Sequence, residues 1–273
     1  MGSPIPIGGS SNVQNRTLGI IVGSVVVLVV AGGVGLFTLD GFLRGKLEQR
    51  RQERATEKQL VDTAIRMSEG KSLGDRPDFP DTPIGQVGAI SYDMMAEMQS
   101  KQRKLTEDLE RIKWDWVMSP DSIDSKADLQ KSLVILGKAK ALTITYEEET
   151  DRLVEETIAK VKLVGDDRSA RQFAEGFSSA YREKGQGLYY FRESMRELRK
   201  NHQAMGEALL LLLKYSGKFT VDRDGAIEFS PSVPDAAVEA YNSAVDRTNT
   251  ALEKINALEI EGAKAAKERI KGL

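Results

Sequence analysis

The sequence predicts an all-α protein: a single N-terminal transmembrane helix, a charged helical stalk, and an elongated antiparallel four-helix bundle with one small β-hairpin. Three observations lead to this fold class. Residues 17–39 contain no charged side chain and are mostly apolar. Four later segments place apolar residues at steps of three and four, which is the period of a helix with one buried face. Residues 218–229 alternate apolar and polar side chains instead, as the strands of a hairpin do.

The composition supports a helical protein and limits its chemistry. Charged residues make up 29% of the 273 residues and aromatic residues only 6%, as in helical bundles and coiled coils. The 39 basic residues nearly balance the 41 acidic ones, so no overall field attracts nucleic acid, and no nucleic-acid partner is expected. The absence of cysteine excludes disulfides, zinc thiolates and a thiol nucleophile within this chain.

The N-terminal part predicts a membrane anchor. Residues 1–16 are rich in Gly, Ser and Pro and are predicted to be a disordered tail. At ~1.5 Å per residue, a helix over residues 17–39 is long enough to cross a hydrocarbon core of ~30 Å, so the lipid bilayer is the expected partner of this segment. A cleaved signal peptide ending near Ala31 is the alternative, but the apolar run continues well beyond that residue.

Small residues recur on the predicted membrane helix. Gly19 and Gly23 are four residues apart, and Ala31 and Gly35 repeat that spacing. Such spacing lets two helix backbones approach closely in lipid, which predicts self-association through this face. The alternative interpretation is that glycine is simply common in membrane helices.

The two segments after the anchor differ in character. Residues 40–70 interleave acidic and basic side chains with few apolar ones, which predicts a solvated juxtamembrane helix acting as a stalk. Residues 71–88 contain three prolines and three glycines, too many for the interior of a helix, so a linker is predicted there.

The remaining residues, 89–273, form the predicted bundle. Its helices are expected at about 89–117, 120–164, 167–215 and 234–271. The third has the most regular apolar spacing, and at ~1.5 Å per residue it would be about 70 Å long, which predicts a rod. Between the third and fourth helices, Asp224-Gly225 is a typical two-residue turn for the hairpin at 218–229.

One segment resembles a known group of proteins. From Phe219 to Asn242 the chain has a hairpin with Asp-Gly, then Ile-x-Phe, a spacer, and Tyr241-Asn242 early in a terminal helix. This pattern resembles the C-terminal part of uncharacterised bacterial envelope lipoproteins that are helical outside the membrane. Unlike those proteins, this chain has no cysteine to carry a lipid. The resemblance implies a location in the cell envelope and no known activity.

The sequence predicts no catalytic, cofactor-binding or metal-binding residue, and the chain is expected not to be an enzyme. His202 is the only histidine, so a metal site with several histidines is impossible within one chain. His202 falls on the apolar seam of the third helix between Leu198 and Met205, which favours a structural core histidine over a pH switch or a catalytic base.

Two groups of apolar residues are candidates for an interaction surface. Tyr189 and Tyr190 precede the seam residue Phe191, so at least one of them points away from the seam, towards another helix or towards a partner. The leucines at 209–213 turn through every face of the helix, so either neighbouring elements cover them or they form an interface. The candidate interface residues among them are Leu209, Leu210, Leu211 and Leu213.

The orientation in the membrane stays open. Only Arg16 precedes the anchor, whereas six Lys and Arg follow it between Arg44 and Lys58, which favours a cytoplasmic bundle. The envelope resemblance favours the other side of the inner membrane, and the prediction leans that way. The function expected is that of a membrane-anchored binding or scaffold module, whose partner is another protein or a second copy of the chain. The alternative is a ligand-sensing helical-bundle domain of a membrane receptor.

Overall fold

The computed structural model describes residues 59, 74–117, 120–164, 175, 187–221 and 227–271. The predicted tail, the transmembrane helix with its four small residues, and almost all of the stalk lie outside these ranges. Among the residues that are described, no helix is both long and apolar enough to cross a bilayer.

The described part of the chain is mostly helical, with one small two-stranded antiparallel sheet. The elements in order are α1 (Pro83–Arg111), α2 (Trp114–Val117), a 3-10 turn (Pro120–Ile123), α3 (Lys126–Lys162), α4 (Gly187–Lys214), β1 (Phe219–Val221), β2 (Ile227–Phe229) and α5 (Asp235–Lys271). The predicted helical class with one small hairpin is therefore confirmed at this level.

Helix α1 begins at Pro83, six residues before the predicted start at Ala89. The Thr82 hydroxyl accepts a hydrogen bond from the backbone N–H of Gly85 at 3.2 Å, so Thr82 caps the helix. A proline at the first helical position is favourable, because its missing N–H would have no partner there in any case. The prediction that the linker extends to residue 88 was therefore wrong: Pro83 starts a helix instead of interrupting one.

The segment between α1 and α3 contains two helix boundaries that the sequence did not predict. Lys113 adopts a left-handed backbone conformation with φ of 60°, which separates α1 from α2. Farther along, the Ser125 hydroxyl accepts a hydrogen bond from the backbone N–H of Asp128 at 3.1 Å and caps α3. The predicted helix at 120–164 is consequently a 3-10 turn followed by a separate helix.

Helix α4 ends in a turn that leads directly into the hairpin. Gly217 has φ of +78°, a conformation that glycine adopts without steric cost. Strands β1 and β2 pair antiparallel, with Phe219 opposite Phe229. The ring centroids of Phe219 and Phe229 are 6.0 Å apart, and those of Phe229 and Tyr241 are 5.2 Å apart, so these aromatic contacts pack the hairpin against the start of α5.

The chain divides into two compact units, and each of the four long helices contributes residues to both. The described residues of the first unit lie within 104–145 and 195–256. Those of the second lie mainly within 74–103, 146–164, 187–194 and 257–271. Each unit buries apolar side chains of its own: the first includes Leu129, Leu212 and Tyr241, and the second includes Met95 and Phe191.

Candidate functional site

The leucine run near the end of α4 is mostly covered. Leu209 and Leu212 are buried, and Leu211 and Leu213 are half-buried. Leu210 is the exposed member, with 56% of its surface accessible. Five consecutive residues point to every face of a helix, and the face that neighbouring elements leave most exposed here is that of Leu210. Among the four candidate leucines, Leu210 is therefore the most accessible to a partner.

The two candidate tyrosines lie at the start of α4, in the second unit. Tyr190 is buried and Tyr189 is half-buried, and their ring centroids are 5.7 Å apart at an interplanar angle of 79°. The next residue, Phe191, is fully buried and meets the ring of Tyr146 edge to face, with centroids 6.1 Å apart. The aromatic residues here thus contribute to packing between α3 and α4.

His202 lies in the core of the first unit and is only 4% exposed. Its imidazole meets the ring of Trp114 edge to face, with centroids 5.4 Å apart, and its Nδ1 atom has no hydrogen-bond partner. Burial lowers the pKa of His202 to about 4, because the charged imidazolium loses its hydration, and the positive charge of Lys140 lowers it further. The imidazole is therefore neutral at pH 7.

A row of buried threonines on α3 is a feature that the sequence analysis missed. Thr143, Thr150 and Thr157 are seven residues apart, and each donates its hydroxyl proton to the backbone carbonyl four residues earlier at 2.8–2.9 Å. The hydroxyls are thereby satisfied within the helix, which lets polar side chains occupy a buried face. The seven-residue spacing is visible in the sequence and would have identified this row.

Glu259 on α5 was also missed. It is only 5% exposed, and one of its carboxylate oxygens, Oε1, has no hydrogen-bond partner. Burial raises the pKa of Glu259 to about 7, because the charged carboxylate is poorly solvated there. The same unit buries Ser91 and Ser194, whose hydroxyl oxygens also lack hydrogen-bond partners. The Tyr146 hydroxyl, buried in the same unit, has no hydrogen-bond partner either, so several buried polar groups of the second unit are not compensated by hydrogen bonds.

Part of the acidic stretch on α3 has a structural role. In the second unit, the Lys101 ammonium lies 2.9 Å from Oε2 of Glu149 and 3.4 Å from Oε1 of Glu97, so it joins α1 to α3. The hydrogen bond to Glu149 raises the pKa of Lys101. Glu148, Glu155 and Glu156 are exposed. Across the described residues, no three metal-ligating side chains come together.

A second ion pair joins α4 to α5 in the first unit. The Arg247 guanidinium lies 2.6 Å from Oε2 of Glu207, and the side-chain amide of Gln203 donates to Oε1 of the same carboxylate at 3.0 Å. These hydrogen bonds, the one from Arg247 first, lower the pKa of Glu207. Asn201 adds a further link, because its amide donates to the backbone carbonyl of Thr248 at 3.2 Å. The Arg247–Glu207 and Asn201–Thr248 contacts thus join α4 to α5 in the first unit.

Replacing Glu259 with glutamine is expected to stabilise the protein at alkaline pH. Between pH 4.5 and about 7, folded Glu259 keeps a proton that the unfolded chain has lost, so this group weakens stability as pH rises through that range. Allowing for partial solvent screening, we expect Glu259→Gln to be ~1–2 kcal/mol more stable than the unaltered chain at pH 8 and about equal to it at pH 4. Urea unfolding followed by circular dichroism at both pH values measures the difference. Glu155→Gln, at an exposed site on α3, is the matched control and should change little; equal stabilities at pH 8 would contradict the prediction.

Comparisons with known proteins returned no match: no protein-family model, no curated protein and no solved structure is significantly similar to this chain. The resemblance of Phe219–Asn242 to envelope lipoproteins therefore stays a prediction.

Proposed function

We propose that this chain is a membrane-anchored, non-catalytic helical module of the bacterial cell envelope that binds another protein or a second copy of itself. The observation that carries the proposal is the uncharged apolar stretch at 17–39, which has the length and composition of a membrane-spanning helix. The rest of the chain is long and rich in charge, which suits a domain held in water beside a membrane. An inner-membrane location with a single span follows from the proposal.

The contacts between helices support an antiparallel four-helix bundle as the architecture of the module. In the first unit, a Cβ on Gly206 would lie 3.5 Å from a Leu136 side-chain atom, while Lys140 acts electrostatically on His202. Residue numbers rise on α3 as they fall on α4, so these two helices run in opposite directions. Ion pairs link α1 to α3 and α4 to α5. Helices of 28–37 residues joined in this way are typical of helical bundles.

The buried polar residues favour a binding role over catalysis. The threonines on α3 bond to their own helix, and His202 packs against Trp114 with a pKa of about 4, well below the neutral range in which a general acid–base group works best. A binding surface is then the natural use of such a bundle, and the exposed Leu210 is the first residue to test in it.

A topology experiment tests the anchor and the location together. Ser232 is exposed in the turn between β2 and α5, and the chain has no other cysteine to label, so Ser232→Cys gives a single reactive thiol. We expect a membrane-impermeant maleimide to label this variant in intact cells, with the unaltered chain as the unlabelled control. Labelling only after lysis would place the module in the cytoplasm and would remove the envelope assignment.

The anchor itself is tested by extraction. The full chain should stay in the membrane pellet after washing with alkaline carbonate, whereas a chain lacking residues 17–39 should appear in the soluble fraction. Release of the full chain by carbonate would contradict a transmembrane anchor.

A ligand-sensing domain is the second candidate, and one observation favours it. Ser91, Ser194 and Glu259 are buried in the same unit with unpaired polar atoms, which are groups that a polar ligand would satisfy. Native mass spectrometry of the full chain, extracted in detergent from its own membrane, separates the two candidates. A mass equal to that of one chain, or to a multiple of it, supports the binding module. An additional small mass, bound in a constant ratio to the chain, supports the ligand-sensing domain.

A further inference from the structure

Residues 74–82, referred to here as the strap, fold back along the helix that they precede. Gly74 has a positive φ of 76°, and its carbonyl oxygen accepts a hydrogen bond from the hydroxyl of Tyr92 at 3.0 Å. Tyr92 is buried, and it lies 18 residues farther along the chain than Gly74. The beginning of the strap is thus held against the second and third turns of α1 instead of extending away from Pro83.

Two further contacts hold the strap at the same level of α1. The Arg76 guanidinium lies 2.9 Å from Oδ2 of Asp93, and the ring centroids of Phe79 and Tyr92 are 6.3 Å apart. At ~1.5 Å per residue, Tyr92 is about 14 Å along the helix axis from Pro83. The strap therefore begins beside Tyr92 and Asp93, and not at the first residue of the helix.

The base of the strap fits against α1 only because residue 85 is glycine. A Cβ added to Gly85 would lie 1.8 Å from the carbonyl oxygen of Pro80 and 2.8 Å from its carbonyl carbon. Those atoms belong to the backbone of the strap, so a larger residue would force the strap away from the helix. By contrast, a Cβ added to Gly137 on α3 would meet nothing within 4 Å.

None of the nine residues of the strap is fully buried. The Arg76–Asp93 ion pair is exposed, with 54% and 59% of the two side chains accessible, and exposed pairs contribute little to stability. The Tyr92 hydrogen bond, the Phe79 ring contact and an exposed hydrogen bond of 3.2 Å from the Gln86 side-chain amide to Oδ1 of Asp81 also join the strap to α1. The strap forms neither helix nor strand. Segments with few buried contacts open at a lower free energy than the helices on which they lie.

We propose that the strap is a releasable brace that sets the reach of the N-terminal segment. In the docked state it fixes the exit point of the preceding chain beside Asp93. In the released state its nine residues become a tether that extends up to about 30 Å from Pro83, at ~3.4 Å per residue. The two states thus place the preceding segment at different distances from α1. This inference goes beyond the proposed function and holds whether or not residues 17–39 span a membrane.

Cross-linking in the full chain tests the docked state. The pair Arg76→Cys and Asp93→Cys introduces two thiols at positions that are neighbours only when the strap is docked, and a short bis-maleimide joins them. The matched control pair is Arg76→Cys with Ser100→Cys, because Ser100 is exposed on α1 about 10 Å beyond Asp93. We expect the 76/93 pair to react at least tenfold faster than the 76/100 pair, as measured by mass spectrometry of the digested product. Equal rates would overturn the docked state.

Substitutions test what holds the strap. Gly85→Ala, added to the 76/93 pair, should slow the cross-link at least tenfold, whereas Gly137→Ala should leave its rate unchanged. Phe79→Ala lies in the strap and leaves the backbone of α1 unaltered. We expect it to slow the cross-linking reaction two- to tenfold, because the ring contact with Tyr92 is lost. This variant keeps the test valid if Gly85→Ala misfolds. If Phe79→Ala and a folded Gly85→Ala both leave the cross-linking rate unchanged, the proposal that these contacts hold the strap as a brace is contradicted.

Release is tested with urea. We expect the 76/93 cross-linking rate to fall at urea concentrations that leave the helical circular dichroism signal intact. A rate that falls only when the helices unfold would show that the strap does not open independently, and it would overturn the releasable brace while leaving the proposed function untouched.

Discussion

Replacing Phe191 with alanine is expected to destabilise the protein by ~3–5 kcal/mol, which is the usual cost of removing a large buried ring from a core. Phe191 has no accessible surface, and its ring meets Tyr146 edge to face at 6.1 Å. The loss therefore combines the transfer of the ring to water with a cavity between α3 and α4. Urea unfolding of the full chain in detergent, followed by circular dichroism at 222 nm, measures the change.

The neighbouring tyrosine provides the matched control. Tyr189 is half-buried on the same turn of α4, so Tyr189→Ala removes a similar ring from a site that water already reaches. We expect this variant to lose about 1 kcal/mol, because less apolar area is involved. If the two variants lost the same stability, Phe191 would not be the core residue that the structure describes.

Acidification is expected to weaken the protein through His202. The pKa of this imidazole is about 4 in the folded protein and 6.5 in the unfolded chain, so between these values only the unfolded chain binds the proton. The stability is therefore complete above pH 6.5, decreases as pH falls, and reaches its full loss near pH 4. The expected loss is ~3 kcal/mol, at ~1.36 kcal/mol for each unit of pKa difference.

A non-titrating variant isolates this contribution. In His202→Gln, the difference in unfolding free energy between pH 7 and pH 4.5 should be smaller than in the unaltered chain by ~2–3 kcal/mol, even if the variant is less stable at both values. Glu259 titrates in the opposite sense and is present in both proteins, so it cancels in this comparison. An unchanged pH dependence in His202→Gln would show that the histidine is not shielded from water.

The two buried ionisable groups together predict an optimum in stability. Glu259 opposes folding increasingly as pH rises towards 7, and His202 opposes it increasingly as pH falls below 6.5. Neither residue forms the ion pair that usually compensates the burial of a charged group. Core packing is thus strong enough to hold both side chains in their neutral forms at suitable pH.

Much of the described helical architecture followed from apolar periodicity in the sequence. The seam of α4 through Phe191, Leu198, Met205 and Leu212 is buried as its spacing indicates. The hairpin was visible in the alternation of apolar residues, and its strands pair with Phe219 opposite Phe229 as that alternation implies. The predicted two-residue turn at Asp224-Gly225 lies outside the described residues, and the register does not fit it, because Val221 pairs with Ile227 and five residues separate them. Periodicity succeeds at such sites because a helix or strand with one apolar face has few ways to bury it.

The boundaries were harder to predict, because they depend on single side chains and backbone conformations. Pro83 appeared to belong to a linker rich in proline, yet with Thr82 as its cap it begins α1. Lys113 gives no sign in the sequence of its left-handed conformation, since this conformation usually requires glycine. The cap at Thr82 and the left-handed conformation of Lys113 each depend on the local backbone geometry at one end of a helix, which apolar periodicity does not record.

By itself, the sequence determined the helical class, the hairpin, and the apolar stretch at 17–39 on which the proposed anchor depends. Only the tertiary structure decided that Glu259 is buried, that Leu210 is the exposed leucine of its run, and that the strap contacts Tyr92 and fits against Gly85. The physical reason is that periodicity records which face of an element is apolar. Which polar atom a neighbouring element covers, and how closely two backbones approach, depends on residues far apart in the chain.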